Sequence, residues 1–295
     1  MADVPVARRL GSALEPVIGQ VFFSPEAHTN YVVLGFDDSP GAAGGVALPD
    51  GPAYFTSRGS LLGQVPGEVV ASAFGVFSPT VVVPSVTLGW SRTDAPTIRQ
   101  ARHDGAVGQL RRLLGDSPDG LERVADLLGR AVEPLRVEGR PLFAGIRSVP
   151  LDADPVGAVF QLGDALREFR GDAHIAAWTT AGYDATEIGL ATELYWGLPM
   201  RSYARTRGWT DDDFDGATDR LQARGHIDGS GFTEAGRAAR ERVEIDTDAA
   251  MQPALTALGD DIDELISTLR PWGSLIRAGH GYLAAGPHDL AAGVG

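Results

Sequence analysis

The chain has 295 residues and 43% hydrophobic content, enough for one large packed domain or two ordinary ones. A formal net charge of −14 sets the surface as a whole against nucleic acid and anionic membrane, so any DNA contact needs a local basic patch. The lack of cysteine excludes disulfides, thiolate nucleophiles and Cys-ligated metals, and the lack of lysine excludes Schiff-base chemistry.

Every basic residue is arginine and the one asparagine is Asn30; with abundant Ala, Gly, Asp and Val this suggests a high-GC bacterial genome. The opening MADVPVARRLGSALEPV has no apolar leader region, and no segment approaches transmembrane length, so the expected location is cytoplasmic. In chain order, Ala7 to Gly19 is a first helix with Leu10, Leu14, Val17 and Ile18 on one side. Ser24-Pro25-Glu26 opens a second as cap, first-turn proline and first-turn acid, and Gly35 stops it. Asp37 to Gly51 reads as a flexible loop, Pro66 to Phe77 as a buried helix, and Val81 to Trp90, β-branched with Pro84 inside, is left unassigned. Thr97 to Leu114 and Asp119 to Glu138 are amphipathic helices, and the Asp/Pro-rich run Pro150 to Pro155 marks a domain boundary.

The stretch Leu166 to Asp184, LREFRGDAHIAAWTTAGYD, is the richest in chemistry. Val156 to Phe169 is helical, Arg170-Gly171 is expected to end that helix, and Asp172 to cap a new one running to Ala181. His174 then falls in a first turn. One reading is a polar cluster of Arg167, Glu168, Arg170, Asp172 and His174 lining a pocket. The other is a capped helix start with an ion pair and a partly buried histidine. Ala185 to Trp196 follows, then Thr210 capping a helix to Arg224, a hairpin-like His226 to Thr233, a long helix through Asp248 and a last one from Pro253 to Leu269. Residues 286–295 are expected to be a disordered tail.

Leu221-Gln222-Ala223-Arg224-Gly225-His226-Ile227, followed by Phe232-Thr233-Glu234-Ala235-Gly236-Arg237, resembles the recognition helix and wing of MarR-type winged helix-turn-helix proteins. More closely, the chain resembles an actinobacterial family of MarR-like proteins with an LREHRGDGH-type segment and an N-terminal FxPEAxxxY. Here these appear as LREFRGDAH, Leu166 to His174, and FSPEAHTNY, Phe23 to Tyr31. Phe169 stands where relatives often carry His, which weakens any site needing two histidines. An internal echo pairs Glu26-Ala27-His28…Tyr31…Gly35-Phe36-Asp37 with Asp172-Ala173-His174…Trp178…Gly182-Tyr183-Asp184. The expected fold is therefore mainly α: two degenerate winged-helix-like, MarR-like units in tandem, pseudo-dimeric, with short β-wings. The halves are placed at 1–150 and 151–285.

A DNA-reading helix carries Arg, Ser, Thr, Asn or Gln toward bases and phosphates. Here that helix opens with Asp211, Asp212 and Asp213 and adds Asp215 and Asp219, against Arg220 and Arg224. Arg201, Arg205 and Arg207 make one small patch. DNA as a partner is thus possible but disfavoured. The resemblance implies a crevice for small aromatic or lipophilic ligands where the helical core meets the winged unit. The ligand-binding candidates are His28, Tyr31, Arg58, Trp90, His103, Arg170, His174 and Trp178, with Asp172 among the polar groups; Tyr195 and Trp196 also lie beside polar groups. The expected function is small-molecule binding on a MarR-like scaffold that has lost strong DNA binding. Alternatives are a ligand-responsive MarR-type regulator and a cofactor-free enzyme, in which His174, oriented by Asp172 or Glu168, performs acid/base catalysis as an isomerase, dehydratase or cyclase. Neither a cofactor nor a metal is expected, because no nucleotide or zinc motif is present and the six histidines are scattered apart from His280 and His288. A monomer or homodimer fits, without membrane association.

Overall fold

The computed structural model describes residues 4–229 and 231–284; Ser230, His288 and the expected tail lie outside the described residues. Where the sequence carries caps, helices begin as expected. Ser24 accepts the amide of Ala27 at the start of α2 (Pro25–Val33), which follows α1 (Val6–Gly19). A two-stranded hairpin, β1 (Ala42–Ala43) with β2 (Val46–Ala47), occupies the stretch expected to be a loop. Asp50 then caps α3 (Gly51–Gly59), a helix the Gly/Pro content concealed. The chain continues through α4 (Gly67–Phe74), α5 (Pro79–Arg92), α6 (Ala95–Leu114), α7 (Leu121–Val132) and α8 (Pro141–Arg147).

The unassigned Val81 to Trp90 lies within α5. Its buried residues Val82, Ser85, Val86 and Gly89 recur at helical spacing, Pro79 occupies the first helical turn, and Pro84 sits on the exposed side. Gly89 is required where α5 crosses α3, since a Cβ there would lie 1.9 Å from the Thr56 hydroxyl.

The largest departure from expectation is α9 (Pro155–Thr180), one uninterrupted helix of 26 residues. Arg170-Gly171 does not end it and Asp172 does not cap a new one. Buried Leu166, Phe169, Asp172 and Ala173 continue one stripe across the glycine. That burial outweighs the roughly 1 kcal/mol that an interior glycine costs. Asp172 instead accepts the backbone amide of Phe143 at 3.1 Å, capping α8 from a neighbouring helix.

Beyond it come α10 (Ala185–Tyr195), α11 (Asp211–Ala223), the hairpin β3 (Ile227–Asp228) with β4 (Gly231–Phe232), and α12 (Glu234–Ala250). Both α10 and α11 open with capping boxes, Asp184 with Glu187 and Thr210 with Asp213. The expected last helix is two: Gly259 at φ +56 separates α13 (Gln252–Leu258) from α14 (Ile262–Ala278).

The main core takes side chains from α1, α3 to α9, α13 and α14, on both sides of residue 150. A second core, with Ile188, Leu190, Phe214, Leu221, Ile227 and Val243, belongs to α10, α11, the hairpin and α12. Phe160 and Phe169 of α9 lie in the first core and Trp178 in the second, so this helix, about 39 Å long at 1.5 Å per residue, is the shaft joining them. Among the described residues no helix is long and apolar enough to cross a membrane.

Candidate functional site

The outer face of the α10–α11 unit is acidic, and its cations are occupied. Arg201 pairs with Asp215 at 2.6 Å, Arg205 with Asp211 at 2.7 Å and Arg220 with Asp184 at 2.6 Å. Arg224 donates to the carbonyls of Gly182 (2.8 Å) and Ala181 (3.0 Å) and lies 3.3 Å from Glu187. Arg207 stacks 4.7 Å over Phe77 and 4.5 Å over Tyr203, and bonds the Tyr203 hydroxyl. The Arg205 hydrogen bond and charge hold the Asp211 carboxyl below its ordinary range. The segment leading into α11 is also tied to the N-terminal half: the Ser78 amide donates to the Arg207 carbonyl at 2.9 Å, and the Trp209 indole to the Val76 carbonyl at 2.9 Å.

The inner face is different. On α12 the buried stripe Gly236, Arg240, Val243, Glu244 and Thr247 includes a wholly buried guanidinium. Arg240 donates from Nη2 to Glu244 (2.7 Å) and Thr192 (3.3 Å) and stacks 4.8 Å from the Tyr195 ring centre. Its Nε and Nη1 are buried with no hydrogen-bond partner among the described residues. Glu244 also receives Arg170 at 3.2 Å. Burial opposes its ionisation, but Arg240, His174 and Arg170 outweigh that and hold the carboxyl well below the usual range. His174 Nδ1 lies 3.0 Å from the Thr247 hydroxyl, whose hydrogen goes to the Val243 carbonyl, so His174 is the donor of that pair.

Arg170 and His174 form the partition between two cavities of about 170 Å³ each. The one toward α10 and α12 is bounded by Arg240, Trp196, Tyr203 and Trp209. The indole nitrogen of Trp196, at this cavity, and the Nε of Arg170, on the side of Gly11 of α1, are also buried without a hydrogen bond among the described residues. All these unmatched atoms are donors. The cavity toward α1 is bounded by Leu14, Arg58, Glu168 and Met251, and its charges are matched. Arg58 grips Glu168 through two bonds (3.0 and 2.8 Å), and Arg167 bridges Glu15 (2.8 Å) and Glu168 (2.9 Å). Burial disfavours the Glu168 carboxylate, yet Arg58 and Arg167 hold its pKa below the ordinary value.

Of the residues singled out in the sequence, Arg58, Arg170 and His174 are brought together around these cavities, with Glu168 beside them. Asp172 is turned toward α8, and burial pushes its carboxyl up to about 7. Trp178 is core in the second cluster. His28, Tyr31 and Trp90 lie in or against the small core of α2, α3 and α6. There His28 Nε2 meets the Phe22 carbonyl at 3.1 Å and the Trp90 indole donates to the Val65 carbonyl at 2.7 Å. His103 stands apart, 2.7 Å from Asp152.

Sequence reasoning missed Arg240, Glu244, Thr192, Tyr203 and Trp209 as site residues. A signal for the first two was present: polar Arg240, Glu244 and Thr247 occupy positions i, i+4 and i+7 of a stripe otherwise fit for a core. Tyr203 and Trp209 come from an irregular segment and carry no periodic signal. Among the described residues no group of three or more His, Asp or Glu is placed to hold a metal ion.

Two helices, α10 and α11, joined through residues 196–210, then a hairpin and a long helix, follow the element order of folds used by DNA-binding regulators. The model of a helix-turn-helix family matches residues 7–283, so the chain belongs to that family over nearly its whole length. No curated protein and no solved structure matches the chain.

Proposed function

We propose that the protein binds a small molecule in the crevice between α9, α10 and α12, on a helix-turn-helix scaffold that no longer binds DNA strongly. The observation that carries this reading is Arg240. A guanidinium wholly withdrawn from water, with its Nε and Nη1 unbonded among the described residues, is costly unless something accepts from them. The cavity beside it also has an unmatched donor in the Trp196 indole. The ligand class that fits is a compact anion or acceptor-rich molecule with an apolar ring against Trp196, Tyr203 and Trp209. About 170 Å³ is below the ~300 Å³ of ordinary drug-sized sites, which favours a single-ring ligand.

Weak DNA binding is supported by the pairing of Arg201, Arg205 and Arg220 with acids of the same surface. Phosphate would have to break those pairs while facing Asp212 and Asp219. The MarR-type reading draws its support from the C-terminal half, where α11, hairpin and α12 follow in winged order. In the N-terminal half the β1–β2 hairpin precedes its helices, so the tandem pseudo-dimer gains nothing from it. A ligand-responsive regulator is the second reading, favoured by one fact: Tyr203, Arg207 and Trp209, which immediately precede α11, are walls of the cavity. The enzymatic reading has no such support, since Glu168, Asp172 and His174 are each engaged with different partners.

Fluorescence anisotropy with a random duplex, scanned from low to physiological salt, tests the DNA half of the proposal. We expect negligible binding even at low salt. Tight binding with a steep salt dependence would overturn it.

A further inference from the structure

A cavity of about 240 Å³ lies away from the helix-turn-helix crevice, between α6, α8, α9 and the connector 148–154. Its apolar walls are Leu61, Ile146, Val149 and Phe160. The connector wall is fastened in place. Gln161 accepts the Asp152 amide at 3.0 Å and donates to the Pro150 carbonyl at 3.1 Å, and Asp152 accepts the Asp154 amide at 2.9 Å.

The polar groups of this cavity form a graded set. Arg102, 3% exposed, makes a bidentate pair with Asp164 (2.8 and 3.1 Å), which leaves its buried Nε without a hydrogen-bond partner among the described residues. His103 Nε2 meets Asp152 at 2.7 Å, leaving Nδ1 as the ring nitrogen open to a ligand. Arg99, one turn before them on α6, has no ion-pair or hydrogen-bond partner among the described residues. Asp164 is paired with Arg102 and Asp152 meets His103, so Arg99 is the one cation at this cavity with no ion-pair or hydrogen-bond partner among the described residues. A cation is thus presented beside an apolar hollow by a chain whose net charge is −14.

We propose that this cavity is a second small-molecule site, specific for a compact monocarboxylate. The carboxylate would lie on Arg99 and the Arg102 Nε, its apolar body against Phe160, Ile146 and Leu61, with His103 Nδ1 paired to a second polar group where the ligand has one. Guanidinium suits a carboxylate by its planar donor fork. The cavity volume holds one ring with little to spare. The proposal does not depend on the Arg240 crevice, because the two cavities share no wall residue.

The test is a titration of the full chain with benzoate, and with neutral benzamide as control, read by the side-chain NMR signals of its histidines. His103 reports this cavity and His174 the crevice, and the two are assigned from His103→Gln and His174→Gln. We expect benzoate to shift His103 saturably and benzamide to do so ~10- to 100-fold more weakly. Arg99→Ala should weaken the His103 response by a similar factor while leaving the His174 response unchanged. Arg99 has no ion pair or hydrogen bond among the described residues to lose, so that variant keeps the fold, and an unchanged melting temperature verifies it. A His103 signal that benzoate does not move, or moves equally in Arg99→Ala, would overturn the proposal. A His174 response alone would uphold the crevice and reject this second site.

Discussion

The two faces of the α10–α11–α12 unit treat arginine in opposite ways. On the outer face Arg201, Arg205 and Arg220 are exposed or half-exposed and each lies within 2.7 Å of an aspartate. On the inner face Arg240 is sealed from water, and two of its nitrogens have no hydrogen-bond partner among the described residues. An exposed ion pair contributes little, about 0–1 kcal/mol, and on the proposed reading its effect is to leave fewer free cations for phosphate. A buried, half-satisfied guanidinium is expensive, and the ligand proposed above would supply the missing acceptors. The two faces thus differ in where charge remains unmatched more than in how many charges they carry, and the proposed site follows the unmatched charge.

The sharpest way to break this contrast is to remove the inner arginine. Arg240→Met leaves Glu244 buried with less compensation and should destabilise the protein by ~3–5 kcal/mol in denaturant unfolding. Arg240→Met with Glu244→Leu should recover most of that stability and still bind no anionic ligand, which separates folding from binding. Recovery of stability together with ligand uptake would show that the guanidinium is only structural.

The outer face can be pushed the other way. Asp211→Asn, Asp212→Asn, Asp215→Asn and Asp219→Asn together free Arg201 and Arg205. Anisotropy at low salt should then show weak duplex binding, with a salt slope near −2 from about two released cations. No gain in binding would mean the geometry of α11, and not its charge, forbids DNA.

The shaft α9, which joins the two cores, carries a pH dependence. Burial raises the Asp172 carboxyl to about 7, so the folded chain keeps a proton there that the unfolded chain loses near pH 4. Stability from this group is therefore complete below about pH 4 and declines as the pH rises to about 7. Asp172→Asn, still able to accept the Phe143 amide, should flatten thermal melts across that window and raise the melting temperature at pH 8 by a few degrees. A wild-type melt that rises from pH 4 to 7 by the amount seen in the variant would contradict it. The smallest effect expected is Trp196→Phe, which removes one unmatched donor and should cost the ligand roughly 3- to 10-fold in affinity by calorimetry.

Much of the contrast was legible beforehand, and its limits have physical causes. The acids of α11 and the caps Ser24, Thr210 and Thr233 act locally, so the sequence displays them directly. The Arg170-Gly171 pair misled because glycine's local preference was overridden by burial along both flanks of α9, a tertiary effect. Grouping Arg58, Arg170 and His174 was within reach of motif reasoning. Placing His28, Tyr31, Trp90 and His103 with them was not, since which helices pack together is set by non-local contacts. Arg240 was passed over because an arginine on a long polar-looking helix is ordinarily solvated, and only the burial of Gly236, Val243 and Thr247 beside it tells otherwise.

The most direct measurement is native mass spectrometry of the wild-type protein and of the Arg240→Met, Glu244→Leu variant, each incubated with extract of its native host. We predict that the wild type carries a small, negatively charged adduct that the variant lacks. A wild type that takes up nothing from the extract, or a variant that takes up the same adduct, would contradict the account.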